Sequence, residues 1–329
     1  MSELPFQKIQ RKILLRKEAD TSPKFGQRPE DRSTETMLQY SVINIDKPRG
    51  PTSHQVSAYV QQILGIKKSG HSGTLDPKVT GVLPVAVGKA TKIVQALLPA
   101  GKEYVAIMHL HDDLPEEKIR SACAQFVGRI KQLPPLKSNV KREWRFRKIY
   151  YLEILEIKGR DVLFRVGCQA GTYIRKLIHD LGTAMGSQAH MAELRRTRAG
   201  PFDESTLVNL VDLQDAYWYY RNTHSDRLLR KFLQPPEAAV AHLPKVWVFD
   251  TTVNTLCHGA DLKVPGINKV ESDIQVDELV AVMTLKDELV AIGLAKAISK
   301  DMVQAEKGLA VKLERVFMEP GTYPKMTLS

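Results

Sequence analysis

Between residues 68 and 92 the chain reads KSGHSGTLDPKVTGVLPVAVGKATK, and this stretch restricts the backbone more tightly than any other. Gly70, Gly73 and Gly81 permit positive φ or a close approach of the main chain to a ligand. Pro77 locks its own φ and pushes Asp76 out of the helical region. An acidic side chain is therefore held on a stiff loop. A carboxylate in that place serves as nucleophile, general base, metal ligand or turn cap, and Asp before Pro is also an ordinary turn pair. The residues by themselves leave both readings open. No second acidic residue stands close by and no histidine spacing forms a metal box, so metal-assisted hydrolysis gets little support. GHSGTLD also lacks the GK[ST] ending of a phosphate-binding loop.

Around this loop, β-rich runs (SVINID, KEYVAIMHL, VLFRVGC) mix with helical ones (HQVSAYVQQIL, YIRKLIHDLGTAMG) from Ser41 to about Pro235, the pattern of an α+β domain. Residues 1–40 alternate charged and polar side chains with Pro23, Gly26 and Pro29, and read as a peripheral arm outside any core. Beyond the link QPPEAAVAHLPKVWVF, short β-type runs (DELVAVMTL, ELVAIGLAKA, GLAVKLERVFM) suggest a small, separate β-barrel-like domain. No internal repeat is visible.

The formal net charge of +11 favours a polyanionic partner, nucleic acid or an anionic surface. Residues 246–329 are net acidic, so the basic footprint belongs to the larger N-terminal part. Cys123, Cys168 and Cys257 lie far apart without a CxxC pair, which argues against a zinc ribbon or a disulfide framework. No stretch offers the ~20 apolar residues that span a bilayer. A cytoplasmic protein without membrane contact is the expectation.

Gly70, His71, Gly73, Thr74, Leu75, Asp76, Pro77, Gly81, Leu83, Pro84 and Val85 match the GHxGTLDPxAxGxLPV stretch that carries the catalytic aspartate of the TruB and dyskerin family of pseudouridine synthases. Val79 replaces the usual Ala at a packing position. DKPRGPTSHQV (46–56) resembles the family's KPxGxTS motif, GTYIRKLIHDLG (171–182) its arginine-bearing motif, and AHMAELRRTRAGPF (189–202) continues the match. TLCHGADLKVPGI (255–267) is similar to the start of the PUA module found in archaeal dyskerin homologues, the catalytic subunits of the H/ACA particle. The resemblance implies an arm over 1–40 packing on the PUA domain, a catalytic domain over 41–240 and a PUA domain over 245–322. It also implies a central mixed, mainly antiparallel sheet flanked by helices.

By this resemblance the chain isomerises uridine in RNA without a cofactor or metal. Asp76 adds to the sugar or base, or assists a glycal-like intermediate; Arg175 pairs with it and keeps it ionised; Tyr104 stacks on the base and is a candidate for proton transfer. Because the reactive atoms are inaccessible in a stacked helix, the target base turns out into a pocket. His71 corresponds to the residue that fills the vacated place, and Tyr173 and Leu194 to the pocket walls. Lys47 supports the catalytic loop or a phosphate, with an exposed turn lysine as the plain alternative.

Lys141, Arg142, Arg145 and Arg147 interleave with Trp144 and Phe146 in KSNVKREWRFRK (137–148), a pattern suited to phosphate contact and stacking. Arg195, Arg196 and Arg198 form a second basic cluster. The implied partners are tRNA, or an H/ACA guide RNA with its rRNA target and small H/ACA proteins. A non-catalytic RNA-binding scaffold would need the charge and the tail but not Asp76, Tyr104 and Arg175 together.

Overall fold

The computed structural model describes residues 3–134 and 141–325. Its strands are β1 (Ile13–Leu15), β2 (Tyr40–Lys47), β3 (Ser69–His71), β4 (Thr80–Gly88), β5 (Lys102–Leu110), β6 (Gly128–Gln132), β7 (Arg145–Lys158), β8 (Asp161–Cys168), β9 (Ala189–Ala199), β10 (Phe202–Asp203), β11 (Lys245–Val248), β12 (Leu262–Lys263), β13 (Ile267–Glu271), β14 (Leu279–Met283), β15 (Leu289–Ala295) and β16 (Leu309–Val316). Among the described residues these make two sheets. The larger runs β2-β4-β9-β5-β8-β7-β6, with β3 on β4 and β10 on β9; the smaller runs β1-β13-β11-β14-β15-β16-β12. Within the larger sheet β4 and β9 pair in parallel and the remaining pairs are antiparallel, so the mixed, mainly antiparallel α+β architecture is as expected.

The parallel junction is the place where the fold meets the motif. Gly81 sits there opposite Arg196 with φ +102°, and a Cβ on it would lie 2.2 Å from the Arg196 carbonyl oxygen. Only glycine fits both the backbone and the gap. Gly81→Ala is expected to destabilise the protein by about 2 kcal/mol or more, through overpacking plus left-handed strain. A denaturation midpoint unchanged from wild type would remove this reading.

Two helices present the functional loops. In Ser53–Leu64, Thr52 accepts from the Gln55 amide and Gln55 answers the Thr52 amide, which starts the helix; Val56, Val60 and Leu64 recur every four residues on the buried face. In Ile174–Ala184, Leu177, Ile178 and Leu181 face the core while Arg175 faces outward. Burial of that apolar stripe orients the arginine.

One expectation needs correction. The first 40 residues are not peripheral throughout: Leu4 is fully buried, and Met37 and Leu38 join the core beneath β2 and β4. β1 adds a strand to the smaller sheet, with Ile13 opposite Glu271. The C-terminal part has a core of its own, with Val246, Val280 and Val290 among its buried residues, and it also packs on the rest of the chain, where Trp247, Met283, Ile292 and Phe317 share one buried cluster with Val42, Val82, Ile93 and Leu97. Apolar side chains exposed along a β-run signal a core face without saying which body supplies the other half. No helix among the described residues is long and apolar enough to cross a membrane.

Candidate active site

Asp76 lies between β3 and β4 on a loop tied down from several sides. The Val79 amide donates to the Asp76 carbonyl at 2.9 Å and the Gly50 amide to the Pro77 carbonyl at 2.9 Å, so the backbone is indeed a turn. Buried Ser53 reciprocates with Leu75: the Leu75 amide donates to its Oγ at 2.8 Å, and Oγ donates to the Leu75 carbonyl at 3.3 Å. Lys47, fully buried, gives its Nζ to the carbonyls of Pro48 at 2.9 Å, Pro77 at 3.2 Å and Val79 at 2.8 Å. These bonds consume all three donors of the ammonium group. Lys47 is thus no exposed turn residue, and its ammonium group staples the loop that carries Asp76.

The Asp76 side chain is left free of these ties and projects outward, 53% exposed, into an ion pair with Arg175 Nη2, itself 54% exposed. The turn is a matter of the backbone alone, and the side chain stays available to solvent and ligand. Tyr104, on β5, stands in register between Val166 of β8 and Arg196 of β9. Burial raises its phenol pKa, and the Arg196 guanidinium pulls against that rise. Leu194 stands two residues before Arg196 on β9 and, like Tyr104, is partly buried at the surface of the core under the larger sheet. Tyr173 is clamped by Gln132, which accepts from its amide at 3.1 Å and donates to its carbonyl at 3.2 Å.

His71 ends β3. Its Nδ1 accepts from the Gly73 amide at 3.4 Å, its ring meets His54 edge-on at 4.7 Å, and its buried Nε2 has no partner among the described residues. With His54, Ser57, Gln61, Thr74 and Leu98 it lines an open cavity of about 510 Å³ beside the Asp76 loop. Burial, the neighbouring His54 and the Arg196 charge push its pKa down to about 4. The ring is neutral at physiological pH. NMR titration should find its midpoint near pH 4; because the unfolded chain binds a proton at about 6.5, stability from the neutral ring is complete above that pH and is lost as pH falls toward 4. A midpoint near 6.5 would contradict the burial argument.

The basic run behaves less uniformly than its composition. Residues 137–140 of the quoted segment lie outside the described residues. Lys141 pairs with Glu143, Arg142 is exposed, Arg145 donates to the Lys141 carbonyl at 3.3 Å, and Arg147 donates to the Phe146 carbonyl at 2.8 Å. The Arg129 guanidinium lies 3.7 Å from the Phe146 ring centroid and Lys131 Nζ 4.8 Å from that of Trp144. Arg129 and Lys131 extend the cationic face from β6, which sequence reading missed because they become neighbours only through the β6–β7 pairing.

The second basic cluster is engaged within the protein itself. Arg195 is held by Asp46 at 2.9 and 3.1 Å and by Glu204 at 2.6 Å, so two carboxylates already engage its charge. Arg196 is 1% exposed and donates Nε to the Val82 carbonyl at 2.7 Å and Nη2 to the Gly73 carbonyl at 3.4 Å. Strand alternation turns these neighbouring arginines to opposite faces, and neither is free for a phosphate.

Comparison with known proteins places the chain in a family. The pattern of the TruB family pseudouridylate synthase N-terminal domain matches residues 61–174, that of the tRNA pseudouridylate synthase B C-terminal domain 175–241, that of the PUA domain 244–317 and that of the DKCLD domain 1–57. A protein of Pyrococcus horikoshii named probable tRNA pseudouridine synthase B is 58% identical over 97% of this chain and 96% of its own length. One of the same name from Methanopyrus kandleri is 56% identical over 98% and 95%. Among solved structures, a chain of a Cbf5-Nop10-Gar1 complex superposes with a TM-score of 0.95 at 56% identity, covering 99% of both chains. A chain of an H/ACA RNP bound to a substrate RNA containing 2′-deoxyuridine gives 0.92 at 54%, covering 98% of this chain and 99% of that one. With full-length likeness and matching domain order, the chain belongs to the TruB and dyskerin family of pseudouridine synthases.

Proposed function

We propose that this protein isomerises uridine to pseudouridine in folded RNA, guided by an H/ACA RNA on rRNA or without a guide at uridine 55 in the T-loop of tRNA. The observation that carries the proposal is the Asp76–Arg175 pair, exposed at the end of a loop whose backbone is otherwise fully tethered. The reaction breaks the N1–C1′ bond, forms C5–C1′, removes one proton from C5 and adds one to N1. Nothing is hydrolysed or oxidised, so a positioned carboxylate and a proton acceptor suffice.

In this reading Asp76 attacks the sugar or base, or assists departure of the base, with Arg175 holding and aiming it. Tyr104 stacks on the everted base and handles a proton, with Tyr173 and Leu194 as pocket walls. His71, neutral and with a free ring nitrogen, takes the position that the everted base leaves. Lys141, Arg142, Arg145 and Arg147 contact RNA phosphates beside exposed Trp144 and Phe146. Small proteins of the Nop10 and Gar1 kind cover part of the catalytic domain, and the protein works in the cytoplasm, where its three free cysteines stay reduced.

The test uses RNA carrying [5-³H]uridine. The purified chain is incubated with tRNA transcript, and separately with guide RNA, target and partner proteins. Tritium release with pseudouridine in the digest is expected in at least one reaction; release in neither removes the enzymatic reading.

A further inference from the structure

The helix over Ile174–Ala184 carries Arg175 in its first turn, yet its own residues do little to fix where it starts. Tyr173 at the N-cap makes no side-chain cap, and no acidic residue stands in the first turn. Arg175 itself brings a cation to the positive end of the helix dipole. The start is held from outside. Gln132, at the end of β6 and 2% exposed, accepts from the Tyr173 amide at 3.1 Å and donates to the Tyr173 carbonyl at 3.2 Å. The same carbonyl takes the Leu177 amide at 2.9 Å, the bond that closes the first turn. The approach to the helix is seated on β7 as well: the Gln169 amide donates to the Lys148 carbonyl at 2.8 Å, and its Oε1 accepts from the Lys148 amide at 3.2 Å. Tyr173 and Arg175 are two residues apart, so the side chain that meets Asp76 inherits the position that Gln132 sets.

We infer that Gln132 is a positioning residue for the reaction: by capping the helix over Ile174–Ala184 from β6, it sets Arg175 against Asp76. This rests on the pseudouridine synthase reading. Strand alternation turns Gln132 to the face of β6 opposite Arg129 and Lys131, so it is buried away from the cationic face and acts only through the Tyr173 backbone. The first amides of a helix have no acceptor within it, and a first turn without its cap frays. Once the two Gln132 bonds are lost, Arg175 spends only part of its time on the carboxylate, and the fraction of bound RNA that is aligned for reaction falls with it.

The experiment measures the single-turnover rate of the full chain, with its partners and a saturating tritiated RNA, beside its RNA affinity. Gln132→Met keeps the length of the side chain but makes neither bond. It is expected to slow the reaction about tenfold or more while RNA affinity stays within about threefold of wild type, the signature of lost alignment and not of lost binding. In an Arg175→Met background, where no guanidinium is left to place, the same substitution should change the rate by less than about twofold. By NMR, the Arg175 side-chain Nε–H resonance should shift in Gln132→Met toward its position in Asp76→Asn, where the charge partner is gone. As a check that does not depend on Gln132→Met folding, Gln132→Glu copies both bonds only when its carboxyl is protonated, so its rate relative to wild type should rise as pH falls. A full rate in Gln132→Met, a loss that carries over undiminished into the Arg175→Met background, an Arg175 resonance that stays in place, or a Gln132→Glu rate ratio indifferent to pH overturns the inference and leaves Gln132 a structural residue. Absence of turnover in the wild type instead overturns the reading beneath it.

Discussion

Asp76→Asn is expected to lower pseudouridine formation by at least about 1,000-fold while leaving RNA affinity within about threefold of wild type. The amide is isosteric but neither nucleophilic nor able to draw Arg175 by charge. The loop should survive the change, because its tethers run through Lys47, Ser53 and Gly50 to the backbone and none uses the Asp76 side chain. The lost ion pair is more than half exposed on both sides, and such pairs are worth about 0–1 kcal/mol. Activity and stability therefore separate cleanly. Single-turnover rates and filter binding on the same preparation give the answer, and turnover equal to wild type would take Asp76 out of the chemistry.

Arg32→Met is expected to produce the opposite pattern, a large loss of stability with the catalytic groups untouched. Both guanidinium nitrogens reach Glu237 at 2.8 Å, with the two side chains only 7% and 10% exposed, and Glu237 also accepts from the Leu289 amide at 2.8 Å. One ion pair thus joins the N-terminal segment, the link before β11 and the smaller sheet. Methionine keeps the aliphatic stem but leaves a buried carboxylate uncompensated, which costs about 3–5 kcal/mol. Denaturant midpoints followed by tryptophan fluorescence should fall accordingly, since Trp247 sits in the buried cluster shared by the two sheets. A midpoint within experimental scatter of wild type would show that Glu237 finds another partner or a proton.

Of these two positions, only Asp76 announces itself along the chain. It stands in a pattern of glycines and prolines whose backbone meaning is local, so the stiff loop is legible in the sequence alone. The same holds for the helices over Ser53–Leu64 and Ile174–Ala184, each started and faced by its own periodicity. Arg32 and Glu237 are 205 positions apart, and nothing in either neighbourhood names the other.

The chain's sequence by itself determined the family, the α+β class, the aspartate loop and the arginine that meets it, because these rest on short-range backbone constraints and on matched motifs. The tertiary structure decided the fate of the remaining charges. Lys47, Arg195 and Arg196 look alike as basic residues in basic motifs, and each reads along the chain as a contact to RNA or substrate. Folding placed Lys47 under the loop, engaged Arg195 with two carboxylates and buried Arg196 behind Tyr104. The physical reason is that a charge's role is set by solvent access and by its partners across the sheet, and both come from strands far apart along the chain.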